Sequence, residues 1–131
     1  MDYHANHLSN YLWIALGAVV GASARYSLSL LIARRFSTAF PYGTLLINIT
    51  GSLILGFFLV WTSERVLADP RWRLFIAVGF CATYSTYSSF AFETFALFEK
   101  GQMALAALNI LGTNVVCLIA VMLGAMLARS L

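Results

Sequence analysis

Gly79-Phe80-Cys81-Ala82-Thr83-Tyr84-Ser85-Thr86-Tyr87-Ser88-Ser89-Phe90-Ala91-Phe92-Glu93 carries seven consecutive hydroxyl side chains, Thr83 to Ser89. The block lies inside a long run without charge, between Arg73 and Glu93. Around it, the 131-residue chain is 61% hydrophobic and only 10% charged, with a mean hydropathy of +0.84. A soluble domain of this size cannot cover so much apolar surface with so few charges, and the composition is that of an integral membrane protein. In hydrocarbon, a polar group without a partner costs several kcal/mol. A dense hydroxyl block therefore has to face protein, water or a ligand.

Outward from that block, the chain divides into four apolar spans, about 11–33, 42–63, 72–98 and 102–128, in one all-α transmembrane domain. Each reaches the roughly 20 residues a helix needs to cross the hydrocarbon core. The third span holds the hydroxyl run. Ser and Thr compete for backbone hydrogen bonds, so a break in helix 3 is expected there. Such a break survives at membrane depth only where protein or a water-filled cavity covers it, and it frees carbonyls able to bind a cation. Residues 1–9 read as a polar tail, with no cleavable signal peptide evident. His4 and His7 in that tail lack the further ligands a metal site requires. Cys81 and Cys117 both fall within spans and read as small buried hydrophobes rather than as a disulfide.

Within the spans the polar residues are few. Gly17 and Gly21 form a GxxxG pair that lets another helix approach closely. Arg25, one turn on, either snorkels to the interface or sets positive potential at the mouth of an anion path. Asn48 is the one strongly polar side chain of span two, serving either as interhelical glue or as a donor to a passing anion. Thr86, Phe90 and Glu93 share a helical face, with Tyr87 beside Phe90. Glu93 is an interface charge, a partner for Arg25 or a titratable pathway residue. In span four, Asn109, Thr113 and Cys117 are spaced four apart and form a polar stripe facing a partner or a pore.

With four spans, Arg65, Arg71, Arg73 and Arg129 lie on one side of the membrane. Arg34, Arg35 and Lys100 lie on the other, with Arg25 near them. So even a balance gives almost no orientation by the positive-inside rule. It is the balance expected of a chain that inserts both ways and pairs as an antiparallel, dual-topology dimer. The scattered basic residues give no footprint for nucleic acid. No constellation for an enzyme occurs: there is no Ser/His pair in the membrane, no paired carboxylates and no phosphate-cradling glycine loop. Hydroxyls, amides and aromatic ring edges are instead groups that meet a small hydrated anion without trapping it.

At Gly79–Glu93 the sequence resembles the Fluc, or CrcB, family of fluoride channels, whose pattern is close to G-x-x-G-G-x-T-T-F-S-T-F-x-x-E. Supporting stretches are Gly17-Ala18-Val19-Val20-Gly21-Ala22 with Arg25-Tyr26, and Gly43-Thr44-Leu45-Leu46-Ile47-Asn48 with Gly51. The resemblance implies a passive, fluoride-selective channel in the bacterial inner membrane, exporting fluoride that entered as the weak acid. It implies an antiparallel homodimer in the lipid bilayer, or a heterodimer with a related subunit, and a structural sodium ion at the dimer centre. By position, that ion falls to the backbone carbonyls of Ala82 and Ser85. The fluoride path falls to Asn48, to the rings of Tyr87 and Phe90, to the hydroxyls of Ser88, Ser89 and Thr113, and to Asn109, with Arg25 near its mouth. The chain departs from the pattern at Ala82 and Thr83, where the family has paired glycines, and at Tyr87, where it has phenylalanine. Rival readings from the residues alone are a proton-coupled multidrug exporter and a non-conducting assembly subunit. The first would need a carboxylate in span one, where this chain has none.

Overall fold

The computed structural model describes residues 2–37, 39–64 and 69–131, with side chains from residue 7 onward. Arg65, counted above among the loop charges, lies outside the described residues, as does the His4 side chain. Helix α1 runs Asp2–Ala33 and α2 runs Tyr42–Glu64. A third segment follows in pieces: α3 (Pro70–Arg73), a π-helical stretch (Leu74–Cys81), α4 (Ala82–Tyr84) and α5 (Tyr87–Glu99). Helix α6 (Met103–Ser130) ends the chain. Among the described residues no strand occurs. Among the described residues, four segments are long and apolar enough to cross a membrane: His7–Ala33, Tyr42–Glu64, Pro70–Glu99 and Met103–Ser130.

The first helix differs from the sequence expectation. It starts at Asp2 and absorbs the polar tail, because residues 2–10 contain no Gly or Pro to stop it and hydropathy does not set helix continuity. At 1.5 Å per residue, α1 is about 48 Å long, against a hydrocarbon core of about 30 Å. Its first turns therefore project beyond the core. Aromatic rings mark both edges. Trp13, Trp72 and Phe75 cluster at one end, with ring centroids 6.0–6.3 Å apart. Phe36, Phe40 and Tyr42 cluster at the other, at 5.1 and 5.5 Å. Trp13 to Ala33 spans about 30 Å along the helix, which matches the hydrocarbon thickness.

Glycines set the closest approaches. Gly17 lies against the Phe75 carbonyl and the Phe80 backbone of the π-helical stretch, and Gly79 lies against Ile14 and Gly17 in return. Gly56 and Gly124 do the same between α2 and α6, meeting Val121 in one direction and Leu53 and Phe57 in the other. No side chain fits at these points, so backbones touch and dispersion contacts replace the hydrophobic drive that lipid cannot supply. Asp69 caps the third segment through its carboxylate and the Arg71 N–H, 2.9 Å apart, with Pro70 in the first turn. A two-pronged ion pair, Arg129 Nη2 to Glu64 Oε1 at 2.9 Å and Nε to Oε2 at 3.0 Å, ties the end of α6 to the end of α2.

Candidate functional site

Between α4 and α5 the backbone is extended at Ser85 (φ −77°, ψ 156°) and Thr86 (φ −150°, ψ 115°). Extended residues inside a membrane segment strand backbone donors and acceptors that a helix would have paired. Asn48 reaches across from α2 to take up both groups of Thr86. Its Oδ1 accepts from the Thr86 N–H at 2.8 Å, and its Nδ2 donates to the Thr86 carbonyl at 3.2 Å. The Thr86 hydroxyl then caps α5, accepting from the Ser89 N–H at 3.2 Å. Its Oγ1 also lies 3.2 Å from the Ser88 hydroxyl and 3.1 Å from that of Ser89. Tyr84 is buried, stacks on Phe80 and shares a 2.8 Å hydrogen bond with Thr50.

Thr83 stands where the resembled pattern has glycine. Its hydroxyl folds back onto the Gly79 and Phe80 carbonyls at 2.8 and 3.2 Å, and lies 3.2 Å from the Ala18 carbonyl of α1. Gly21 leaves the room for it. The extra side chain is therefore accommodated by a glycine on the neighbouring helix.

Two cavities flank this region. One, of about 310 Å³, is lined by Asn48, Ser52, Ser85, Thr86, Tyr87 and Phe90 on one side and by Thr113, Asn114 and Cys117 of α6 on the other. Phe90 is buried, whereas Tyr87 is 76% exposed, its ring 5.4 Å from that of Phe90. The other cavity, of about 540 Å³, opens at the end of the bundle carrying the loop between α1 and α2; Thr44, Glu93, Lys100 and Gln102 are among its lining residues.

A hydrogen-bonded series of side chains runs from Thr113, on the lining of the smaller cavity, back to Phe90. The Thr113 hydroxyl donates to Asn109 Oδ1 at 3.2 Å, and Asn109 Nδ2 donates to Thr94 Oγ1 at 2.9 Å. Thr94 donates to the Phe90 carbonyl at 2.7 Å. Asn109, Thr94 and Thr113 are all buried. On the facing helix, one turn before Asn48, the Thr44 hydroxyl donates to Glu93 Oε1 at 2.7 Å. The other carboxyl oxygen, Oε2, is buried without a hydrogen-bond partner among the described residues.

The structure thus gathers Asn48, Tyr87, Phe90 and Thr113 around one cavity, with Asn109 one shell behind. Ser88 and Ser89 bond to Thr86 and do not line that cavity. Arg25 is half-buried on α1 and lines neither cavity; Glu93 is bonded to Thr44 rather than to Arg25. Sequence reasoning missed Thr44 and Thr94. Thr44 was within reach, since it precedes Asn48 by four and so shares its face. No group of three potential metal-ligating side chains occurs among the described residues.

Known proteins match this sequence over nearly the whole chain. Residues 12–125 match the family described as "CrcB-like protein, Camphor Resistance (CrcB)". A protein of Koribacter versatilis named "Fluoride-specific ion channel FluC" is 53% identical over 124 residues, covering 95% of this chain and 98% of its own. One of the same name from Sulfurihydrogenibium is 42% identical over 124 residues, covering 95% and 100%. "Fluoride-specific ion channel FluC 2" of Nitrobacter hamburgensis is 38% identical over 122 residues, covering 93% and 98%. A four-span membrane protein with this polar core and these relatives belongs to the CrcB family.

Proposed function

We propose that the chain is a passive fluoride-selective channel that lets the anion leave the cytoplasm down its electrochemical gradient. The observation that carries this reading is the polar core beside Phe90. Asn48, Thr86, Tyr87 and Thr113 border one cavity, Thr44 and Glu93 border the other, and the buried Asn109–Thr94 pair is bonded to Thr113. Uncharged donors and ring edges attract a small hydrated anion yet release it, which permeation requires. The names of the relatives support fluoride as that anion.

The working unit is an antiparallel dimer of two copies, or of this chain with a related subunit. Support comes from the balanced arginine distribution and from the site itself. Tyr87 and Asn114 line the cavity yet are exposed on the single chain, and polar groups at membrane depth require cover. Ala82 and Ser85 would hold a sodium ion between the copies through their carbonyls. Ser85 fits, because its extended backbone takes its carbonyl out of the helical ladder, and carbonyl oxygens are the hard donors such an ion prefers. When bound, the ion would supply fixed positive charge at the centre of the dimer.

Purified protein in liposomes should release fluoride and not chloride. Absence of fluoride efflux, under conditions where a known channel conducts, defeats the reading. Efflux that depends on sodium separates the structural-ion proposal from the channel proposal.

A further inference from the structure

The larger cavity has one base and one acid among its described lining residues, Lys100 and Glu93. Glu93 sits within the third membrane-spanning segment, half-buried and bonded to Thr44. Lys100 is the residue directly after the last of Glu93's own helix, exposed, in the turn that ends α5. That turn is fixed. The Lys100 N–H donates to the Ala96 carbonyl at 3.2 Å, Gly101 adopts φ 71°, and the Gln102 N–H returns to the Leu97 carbonyl at 2.9 Å. Lys100 is therefore held in the cavity lining by a backbone fixed in place. Arg34, Arg35 and Glu99 are exposed at the same end but do not line the cavity.

We propose that this cavity is an anion mouth of the conduction path, and that Lys100 is the charge that recruits fluoride into it. The proposal rests on the channel reading above and adds a residue to it. An anion entering this cavity meets Glu93 on its lining. Lys100 raises the potential along that approach. In a cleft with apolar walls, a single charge has an effect out of proportion to its number, because low-dielectric walls focus its field. Ile32, Ala33, Phe36 and Leu97 supply such walls. Recruitment of this kind acts through long-range charge and is therefore screened by salt, unlike a packing or hydrogen-bonding role.

The test is fluoride efflux from proteoliposomes, at equal fluoride, in about 0.01 M and about 0.3 M impermeant potassium gluconate, where screening differs most. At low salt, Lys100→Gln is expected to slow efflux about 3-fold and Lys100→Glu about 10-fold. Lys100→Arg should match the wild type. At high salt every variant should come within about 2-fold of the wild type. Arg35→Glu, at the same end but outside the cavity lining, should slow low-salt efflux clearly less than Lys100→Glu does, because its charge lies off the focused approach. Equal efflux by Lys100→Glu and wild type at both salts overturns the proposal. So does a loss that is the same at both salts, or an Arg35→Glu loss as large as that of Lys100→Glu. Wild-type protein that releases no fluoride at all overturns the channel reading itself, and this inference with it.

Discussion

Toward α6, helix α2 brings backbone against backbone, with Gly56 on Val121 and Gly124 on Leu53 and Phe57. Toward α5, the same helix stays apart and is bridged by side chains, Thr44 to Glu93 and Asn48 to Thr86. One face seals and the other spans a gap. Lipid gives helices no hydrophobic reason to associate, so the first face needs small residues and close packing. The second needs polar side chains long enough to reach across, and the room they leave is where both cavities lie. The contrast yields opposite expectations for mutation. The sealed face should answer to volume and the bridged face to hydrogen bonding.

The largest effect on stability belongs to the sealed face. A Cβ at Gly124 would fall on the Leu53 carbonyl and the Phe57 N, which are backbone atoms that cannot swing aside. Gly124→Ala should therefore force α2 and α6 apart at a cost of about 1–3 kcal/mol. At Gly112, on the same helix, an added Cβ meets only the Leu108 side chain at 3.9 Å. Gly112→Ala should be neutral or stabilising by up to about 1 kcal/mol, since Ala favours the helix. Thermal unfolding in detergent compares the two. Equal shifts would show that close backbone approach does not hold this face.

On the bridged face, Asn48→Ala strands the Thr86 N–H and carbonyl together. The loss should be about 1–3 kcal/mol for the unpaired groups, with fluoride efflux falling at least about tenfold. A variant that loses stability but keeps its flux would make Asn48 interhelical glue and nothing more.

How far the chain could be read follows the same division. Four spans were visible because apolar length is a local property. Asn48 was visible because it is the one strongly polar residue in its span, and the hydroxyl run because seven such residues in hydrocarbon demand a cause. Partners were not visible. Thr44 and Glu93 are 49 residues apart, and their meeting depends on how α2 and α5 are rotated about their axes. Nothing in the sequence sets Thr94 apart from other helix hydroxyls, and only the structure joins it to Asn109. The π-helical stretch at Leu74–Cys81 was hidden as well, because Leu, Phe, Ile and Val fit any helix and the signal there is Gly79 against Gly17 on another segment.

The smallest expected effect tests where the bridged face ends. Tyr87 lines the smaller cavity, yet its hydroxyl meets no partner among the described residues, and the side chain is 76% exposed on the single chain. If the ring edge is what serves the anion, removing the hydroxyl takes away nothing the fold depends on. Tyr87→Phe should then change stability by less than about 0.5 kcal/mol, as expected of a site without bonded partners. Its fluoride efflux should stay within about 3-fold of the wild type, because the ring quadrupole is retained. Tyr87→Ile removes the ring edge as well and should slow efflux further than Tyr87→Phe does. A drop of tenfold or more in Tyr87→Phe alone would move the hydroxyl into the conduction path, and the bridged face would then extend beyond Asn48 and Thr86 to Tyr87.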